Sequence, residues 1–357
     1  MRQMRSPSTH RRAVCMFAAI IMLVFGSGGR LTARETDSIE RDRAFILTEL
    51  DEQPESRGLR NQHYPCSNEM RIDLFRPYIQ DLGGGYMGVG TDQNFTFIAW
   101  ARSEYAWLFD FDDVSVYVNR IHMYFFSIAP RYEDFRALWQ RSNRENSLKI
   151  LEARFGGNSD WPGYLRAWQI AHRGSTDVPE RLLDLERMHK QFGLETFSSS
   201  AAQYRYIRFM VIQGRIQAVP GDLKGTVTMQ SIAAAARRMD LPIRVFYTSN
   251  AEEYMRYPDT MRANIRAIPV DHRSLLLRTA SVGARNVLGH PIGEKFPEDP
   301  FHYNIQPIEV LQRWMDYPRP LRVLDMLQHN RRSLGQGFSI QEKGPYQLHL
   351  ISRDRSE

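Results

Sequence analysis

The residues from Gly83 to Asp113 constrain this chain more than any other stretch, because they read as strand, turn, helix and strand in close succession. A short apolar run at Tyr86–Val89 ends in the turn 90–94, and a helical segment follows. The aromatic run Tyr105–Phe109 then has the unbroken apolar character of a strand that is buried on both faces. This succession predicts two parallel strands that are joined by a helix across one face of a sheet.

The spacing of a glycine and an acid within this unit predicts a ligand site. Asp110 follows Gly90 by twenty positions and ends the second strand. In nucleotide-binding βαβ units, the glycine turn lets the ligand approach the backbone, and an acid at the end of the next strand holds ribose hydroxyls. The alternative is a tight turn followed by two solvated acids, Asp110 and Asp112. Asn94 is expected to cap the helix that begins at Phe95.

The first 33 residues have the pattern of a targeting segment. They contain five arginines and no acid, and their apolar core at Ala13–Phe25 is too short for an ordinary membrane span. Small residues follow the core, so the segment is expected to be a cleaved export signal or an uncleaved anchor. The protein is therefore predicted to be periplasmic, extracellular or anchored, with membrane contact only through this segment.

The formal charge of +6 comes largely from that segment. Without its five arginines, 42 Lys and Arg residues stand against 41 Asp and Glu residues, which gives no reason to predict nucleic-acid binding. A hydrophobic content of 42% suits a globular core. Outside the apolar segment only Cys66 remains, and His63 is the only His or Cys close to it in the sequence, so neither a disulfide nor a metal site is predicted.

Helix and strand patterns divide the rest of the chain into a tether and one domain. Residues 34–69 are charged and poor in apolar periodicity, which predicts a tether with one short helix at Arg41–Leu50. Residues 70–357 have the pattern of a single α/β domain. Helical spacing without strands extends from about residue 130 to about residue 210, which predicts a long helical insertion between the second and third strands.

Strands and helices alternate again after the insertion. The predicted strands are Arg215–Val219, Ile243–Tyr247, Leu275–Arg278, Phe301–Gln306 and Tyr346–Ser352, and the predicted helices are Thr228–Met239, Ala251–Tyr257, Asp259–Ile268 and Ile308–Met315. The fold class that follows is α/β, with a three-layer, mostly parallel sheet, an antiparallel C-terminal edge and a long helical insertion.

This order of elements resembles the S-adenosylmethionine-dependent methyltransferase fold, which is Rossmann-like. In that fold a glycine turn follows the first strand, an acid ends the second, a polar residue after the third contacts adenine, and a polar motif follows the fourth. The resemblance implies S-adenosylmethionine as the cofactor, with these residues around it: Gly88, Gly90, Thr91, Asp92, Asn94, Asp110, Asp112, Asp222, Ser249 and Asn250. The NPPY or DPPY motif of many such enzymes is absent after the fourth strand.

The stretch Gly85–Trp139 also resembles the aminocarboxypropyl transferases that make betaine-lipid precursors. The shared features are the glycine turn with its Asn, the acid after the second strand, and the phrase Tyr132–Leu138. The rest of the chain resembles a bacterial family of the same fold without an established activity. These resemblances imply a small-molecule donor and leave the acceptor open, with a lipid as one candidate.

A sulfonium donor is already activated, so such a transferase mainly has to bind, orient and exclude water. An acceptor hydroxyl would still need a base, for which Asp92, Glu252 and Glu253 are candidates at strand ends. No catalytic residue is assigned, because the sequence has no Ser-His-Asp arrangement, zinc motif or phosphate-binding loop. Two hypotheses remain: an S-adenosylmethionine-dependent transferase, and an exported binding protein without catalysis on the same scaffold.

Overall fold

The computed structural model describes residues 33–47, 49–51, 62–173, 177–283, 287–290, 293–328 and 331–345. Apart from Ala33, the expected export signal or anchor lies outside these residues, and so does the predicted strand Tyr346–Ser352. Among the residues described, no helix has both the length and the apolar character that crossing a membrane requires.

The described residues form one sheet of eight strands in the order β3-β2-β1-β4-β5-β6-β8-β7. The strands are β1 Gly85–Gly88, β2 Tyr105–Asp110, β3 Ile216–Pro220, β4 Ile243–Ser249, β5 Leu275–Ser281, β6 Phe301–Pro307, β7 Arg331–Gly335 and β8 Phe338–Gln341. Strands β1 to β5 are parallel, β6 is antiparallel to β5, and β7 is antiparallel to β8. The predicted α/β class, with a mostly parallel sheet and an antiparallel C-terminal edge, is confirmed.

Helices cover both faces of the sheet and give the fold its three layers. They are α1 Ala33–Phe45, α2 Arg76–Ile79, α3 Gln93–Ala101, α4 Asp113–Ile128, α5 Tyr132–Trp139, α6 Arg144–Phe155, α7 Trp161–Ile170, α8 Val178–Phe192, α9 Ala201–Ile212, α10 Thr228–Arg238, α11 Asp259–Ala267, α12 Ile308–Met315 and α13 Val323–Leu327. Short 3-10 helices lie at Ile72–Phe75, Arg141–Asn143 and Ala251–Tyr254. Helices α5 to α9 separate β2 from β3, where the helical insertion was predicted.

Successive residues of the central strands pack into two different cores. Tyr86 and Leu108 belong to the core that the insertion covers, whereas Met87 and Trp107 belong to the core under α1, α10, α11 and α12. Side chains of a strand alternate between the two faces of a sheet, so a strand between two helical layers must be apolar throughout. The unbroken aromatic run of β2 follows from this requirement.

The hairpin of β7 and β8 was not predicted. Its first strand begins with Arg331 and Arg332, and Arg332 pairs with Glu342 at 2.9 Å near the end of the hairpin. An edge strand has one unpaired side and can carry charged residues, so it lacks the apolar pattern that identifies a central strand.

The segment that was expected to be a tether packs on the domain wherever it is described. Phe45 is 1% exposed, and its ring centroid lies 4.8 Å from that of Trp107. The carboxylate of Asp51 accepts the backbone N–H groups of Asp222 and Val227 at 3.2 and 3.0 Å. The expectation failed because the buried apolar residues of this segment are few and lie at the end of α1, where they produce no helical periodicity.

The imidazole of His122 lies deep in the core of the insertion. Its ring centroid is 4.7 Å from that of Trp139 and 5.7 Å from that of Phe95. Neither ring nitrogen has a hydrogen-bond partner in the described structure. Burial lowers the pKa of His122 to about 4, because the charged form would lose its hydration without gaining a partner.

Replacing His122 by Phe should make the protein more resistant to mild acid. The unfolded chain protonates this side chain below about pH 6.5, whereas the folded chain does not until about pH 4. The free energy of unfolding of the wild type therefore falls as the pH falls between these values, and the variant should avoid about 2–3 kcal/mol of that loss at pH 4.5. Urea denaturation at pH 7 and pH 4.5 measures the difference.

The matched control is His189→Phe, because His189 is exposed on α8. In this control the loss of stability that the burial of His122 causes on acidification should remain. Equal losses of stability on acidification in the wild type and in His122→Phe would contradict the argument.

Candidate ligand-binding site

A cleft of about 1150 Å³ lies at the carboxyl ends of the central strands. The sheet extends in one direction from β1 through β2 to β3, and in the other direction from β4 to β7. The connections that follow β1 and β4 therefore diverge, which opens a crevice between them. In open α/β sheets, ligands bind in such a crevice at the point where the strand order reverses.

The turn after β1 brings backbone to the edge of this cleft. Gly90 has a φ of +81°, which glycine adopts without the strain that a side chain would introduce. A Cβ atom at this position would meet no atom within 4 Å. The amide of Gly90 donates to Asp110 Oδ2 at 2.9 Å, and its carbonyl accepts from Asn119 at 2.8 Å. Two side chains thus hold the turn open toward the cleft.

Gly88 and Asn94 support the turn from behind. A Cβ atom on Gly88 would lie 2.2 Å from Asn94 Oδ1, so only glycine lets the asparagine approach. Asn94 lies inside the first turn of α3 and donates to the carbonyls of Val89 and Thr91, both at 2.9 Å. Its oxygen accepts from Tyr86 at 2.6 Å. The expectation that Asn94 caps the helix was wrong, because Tyr86 takes the oxygen that a cap would use.

Asp110 ends β2 and borders the cleft. Its carboxylate accepts the amides of Gly90 and Asp112, both at 2.9 Å. Burial raises the pKa of Asp110 to about 7, although these two hydrogen bonds favour the charged form. Near neutral pH the carboxyl group is therefore divided between its two protonation states. A hydroxyl donor that enters the cleft would favour the ionised one.

Asp112 caps α4 and also borders the cleft. Its carboxylate accepts the amide of Val114 at 3.0 Å and lies 2.9 Å from Nδ1 of His63. Burial raises the pKa of Asp112, while His63 opposes that change. The other ring nitrogen of His63 lies 2.9 Å from Arg166, which reaches Asp113 at 2.8 Å.

The ligand atoms of His63, Asp112 and Asp113 lie within 4.8 Å of one another, a spacing that could hold a metal ion. The guanidinium of Arg166 bonds to two of these three residues and supplies positive charge among them.

Asp92 lies beneath the glycine turn. Its carboxylate pairs with Arg181 of α8 at 2.9 Å, and each side chain is about 1% exposed. It also accepts the amide of Ser67 at 2.7 Å. Arg181 further donates to the backbone carbonyl of Glu69 at 3.0 Å. A buried ion pair of this kind needs hydrogen bonds on both partners to offset the loss of hydration, and here it fastens the insertion to the turn.

Polar residues after β3 and β4 complete the wall of the cleft. Asp222 closes its own loop, because its carboxylate accepts the amide of Lys224 at 2.9 Å. Ser249 has a φ of +50°, an uncommon conformation for a residue with a side chain. Its hydroxyl donates to Glu69 at 2.8 Å, and the side-chain amide of Asn250 donates to the hydroxyl of Tyr254 at 3.2 Å.

Glu69 was not predicted as part of the site. Its side chain is fully buried and accepts the hydroxyls of Tyr247, Ser249 and Thr279 at 2.9, 2.8 and 2.7 Å, together with the side-chain amide of Gln93. Burial raises the pKa of Glu69, and the surrounding donors oppose this. A single glutamate in a polar stretch gives no signal in the sequence, because its partners are far away along the chain.

The structure brings most of the predicted site residues to one cleft. Gly90, Thr91, Asp110, Asp112, Asp222, Ser249 and Asn250 border it. Gly88, Asp92 and Asn94 lie behind the turn and hold it. Each of the three candidate bases is bonded within the protein: Asp92 to Arg181, Glu252 to Arg278 at 3.0 Å, and Glu253 to Ser281 at 2.9 Å.

The chain belongs to a family described as "Domain of unknown function (DUF7790)", whose sequence model matches residues 64–343. No curated protein matches it. Two solved structures of the rRNA methyltransferase aviRa from Streptomyces viridochromogenes are similar to it.

One of these structures has 10% identity and a TM-score of 0.26, with 64% of this chain and 79% of that chain covered. The other has 12% identity and a TM-score of 0.25, with 57% of this chain and 68% of that chain covered. A likeness this distant supports no conclusion about ligand or activity, and the α/β assignment rests on the strand order.

Replacing Glu69 by Ala should destabilise the protein by about 2–4 kcal/mol. The change leaves the buried hydroxyls of Tyr247 and Thr279 without their acceptor, and it also removes an acceptor of Ser249 and of the Gln93 side-chain amide. Guanidinium denaturation followed by circular dichroism gives the free energy of unfolding. The matched control is Glu195→Ala, whose carboxylate is 49% exposed and pairs with Arg76, and which should cost well under 1 kcal/mol. A similar, small cost for both variants would refute the role of Glu69.

Proposed function

We propose that this protein binds a nucleoside-containing donor of the S-adenosylmethionine type in the cleft and transfers a group from it to an acceptor. The observation that carries the proposal is the pairing of Gly90 with Asp110 where the strand order reverses. A glycine at positive φ exposes backbone to a ligand, and the acid on the neighbouring strand faces the same opening. Nucleotide sites of doubly wound sheets use this combination.

The residues present fit such a donor. The space in front of Gly90 is open, as the absence of any atom within 4 Å of a Cβ at this position shows. Asp110 accepts one amide on each carboxylate oxygen, which leaves lone pairs for ribose hydroxyls. Asp222 and the loop 221–227 would border the base, and Ser249 and Asn250 the reacting end. The donor's sulfonium would supply an already activated group, so these residues bind, orient and exclude water.

A second candidate function is donor binding without catalysis. It is favoured by the three candidate bases, all of which are engaged in hydrogen bonds or ion pairs within the protein. None of these three carboxylates is free to deprotonate a hydroxyl acceptor, whereas a nucleophile that needs no deprotonation would not be affected. Turnover of bound donor with any acceptor would exclude this alternative.

The proposal includes an exported or membrane-anchored location, which rests on the basic and apolar segment at residues 1–33. S-adenosylmethionine is made inside cells. An exported protein would therefore have to carry its ligand outward, whereas an anchored protein with its domain inside would not. Sequencing the mature N-terminus and fractionating cells distinguishes these routes.

Replacing Asp110 by Ala should weaken binding of S-adenosylmethionine and of its demethylated product by roughly ten- to a hundredfold. A hydrogen bond from a ribose hydroxyl to a carboxylate contributes about 1.5–3 kcal/mol. Gly90→Val should also weaken binding, because a β-branched side chain at φ +81° is strained and projects into the cleft. Calorimetry measures the affinities. Asp134→Ala removes an acid of α5 that pairs with Arg131, and this variant should bind like the wild type.

The absence of binding at millimolar ligand would overturn the donor proposal. Binding that survives Asp110→Ala and Gly90→Val unchanged would overturn the assignment of the site.

The affinity of the wild type for the donor should rise by up to about tenfold between pH 6 and pH 8. The pKa of Asp110 is about 7 in the folded protein, and only the ionised carboxylate can accept both ribose hydroxyls. In the ligand-free protein the raised pKa of Asp110 makes the free energy of unfolding fall as the pH rises from about 4 through 7. The reason is that the folded protein holds the proton of Asp110 more tightly than the unfolded chain does. Asp110→Asn should flatten both profiles, and an unchanged affinity profile in that variant would assign the titration to another group.

A further inference from the structure

Two half-exposed aromatic side chains border the outer part of the same cleft. Tyr64 is 46% exposed and Tyr254 is 41% exposed, which places them among the most exposed large apolar side chains of the described residues. Tyr64 belongs to the segment 62–70, whereas Tyr254 ends the 3-10 helix after β4. Aromatic side chains that line a cleft offer apolar surface to a small molecule bound there.

The hydroxyl groups of both tyrosines are bonded within their own segments. Tyr64 donates to Gln62 at 2.9 Å, and Tyr254 accepts from Asn250 at 3.2 Å. Each hydroxyl is thus engaged within its own loop, and the exposed part of each ring is the surface that a ligand can contact. Such faces stack on planar groups and attract cations.

The charged side chains of the cleft limit what can bind there. Asp51, Asp110, Asp112 and Asp222 border it, and Lys224 is the only basic side chain that does so within the described residues. Lys224 lies 3.5 Å from Asp222, so even this cation is paired with an acid. Recognition of phosphates depends on Lys and Arg, and this lining offers neither in an unpaired form.

We propose that the acceptor subsite of this cleft takes a small planar aromatic molecule without negative charge, stacked against Tyr64 and Tyr254. The inference rests on the proposed function and names its acceptor class. The two rings provide the stacking surface, and the carboxylates favour an uncharged or cationic molecule over an anion. Nucleic acids and phospholipid headgroups are disfavoured, because their phosphates would face this acidic lining.

Three probes that share one ring system test the charge preference. Indole is uncharged, tryptamine is cationic and indole-3-acetate is anionic near neutral pH. Ligand-observed NMR titrations of the full-length protein should give measurable binding of tryptamine and indole, with indole-3-acetate at least threefold weaker than either. Equal or tighter binding of indole-3-acetate, or no binding of any probe, would overturn the proposal. A single-stranded RNA oligonucleotide should not bind, and salt-sensitive RNA binding at this cleft would also overturn it.

Substitutions of the two tyrosines test the location. Tyr64→Ala and Tyr254→Ala should each weaken tryptamine binding by roughly three- to tenfold, since an aromatic contact contributes about 0.5–1.5 kcal/mol beyond its buried area. Tyr64→Phe and Tyr254→Phe keep the ring and should bind within about twofold of the wild type. Thermal melts of the four variants show whether each is folded. Undiminished binding by both folded alanine variants would refute the subsite.

The same variants separate this inference from the proposed function. Donor affinity should be unchanged in Tyr64→Ala, because Tyr64 bonds to Gln62 and to no residue of the proposed donor set. Donor binding without aromatic binding would leave the proposed function intact and overturn the acceptor class. Aromatic binding without donor binding would overturn the donor proposal while supporting the stacking surface.

Discussion

The buried carboxylate of Glu69 connects three separate elements of the sheet and its helices beside the cleft. It accepts hydrogen bonds from α3, from β4 and from β5, and its own backbone lies in the segment that precedes the sheet. Burying a carboxylate is costly unless donors surround it. Since those donors come from three separate elements, the carboxylate is satisfied only when all of them are in place. The geometry of the cleft wall at Ser249 therefore depends on this one group.

A second buried charged group, the guanidinium of Arg181, connects the helical insertion to the same region. Arg181 of α8 bonds to Asp92 and to Gln93 below the glycine turn, and to the backbone of Glu69 beside it. The insertion is thereby fastened to the floor of the cleft. The glycine turn is held from behind by Asn94 and by the ion pair of Asp92 with Arg181. No atom lies within 4 Å of a Cβ built on Gly90, so the front of the turn is open to the cleft.

Much of the sheet could be predicted from the sequence, because buried parallel strands are apolar throughout. The predicted strand Tyr86–Val89 is shifted by one residue from β1, and the predicted strand Tyr105–Phe109 ends one residue before β2 does. The glycine and the acid of the cleft were recognisable because they lie in one short stretch with a fixed spacing. Asp222 and Ser249 were placed correctly at strand ends, since the carboxyl ends of parallel strands meet at one edge.

What the sequence did not show depends on contacts between distant residues. Three charged residues stabilise the fold only through partners that are distant along the chain, which a local sequence pattern cannot show: Glu69, Arg181 and Asp51. Asn94 was assigned to the helix start by residue type, although Tyr86 competes for its oxygen. Charged edge strands and an apolar cluster at the end of one helix produce no periodic signal, so β7 and the packing of α1 were missed for the same reason.

The long separation of these partners has a consequence for synthesis on the ribosome. Glu69 bonds to Thr279 across 210 positions, and the hydroxyl of Tyr303 accepts the amide of Met70 across 233. The segment that forms one wall of the cleft is thus translated early, but its partners leave the ribosome only near the end. Until these partners have been made, the carboxylate of Glu69 is in contact with water and this wall of the cleft is incomplete. A nascent chain that stops before β5 would hold both the glycine turn and Asp110 and would still lack one wall of the cleft, so the cleft is completed only late in translation.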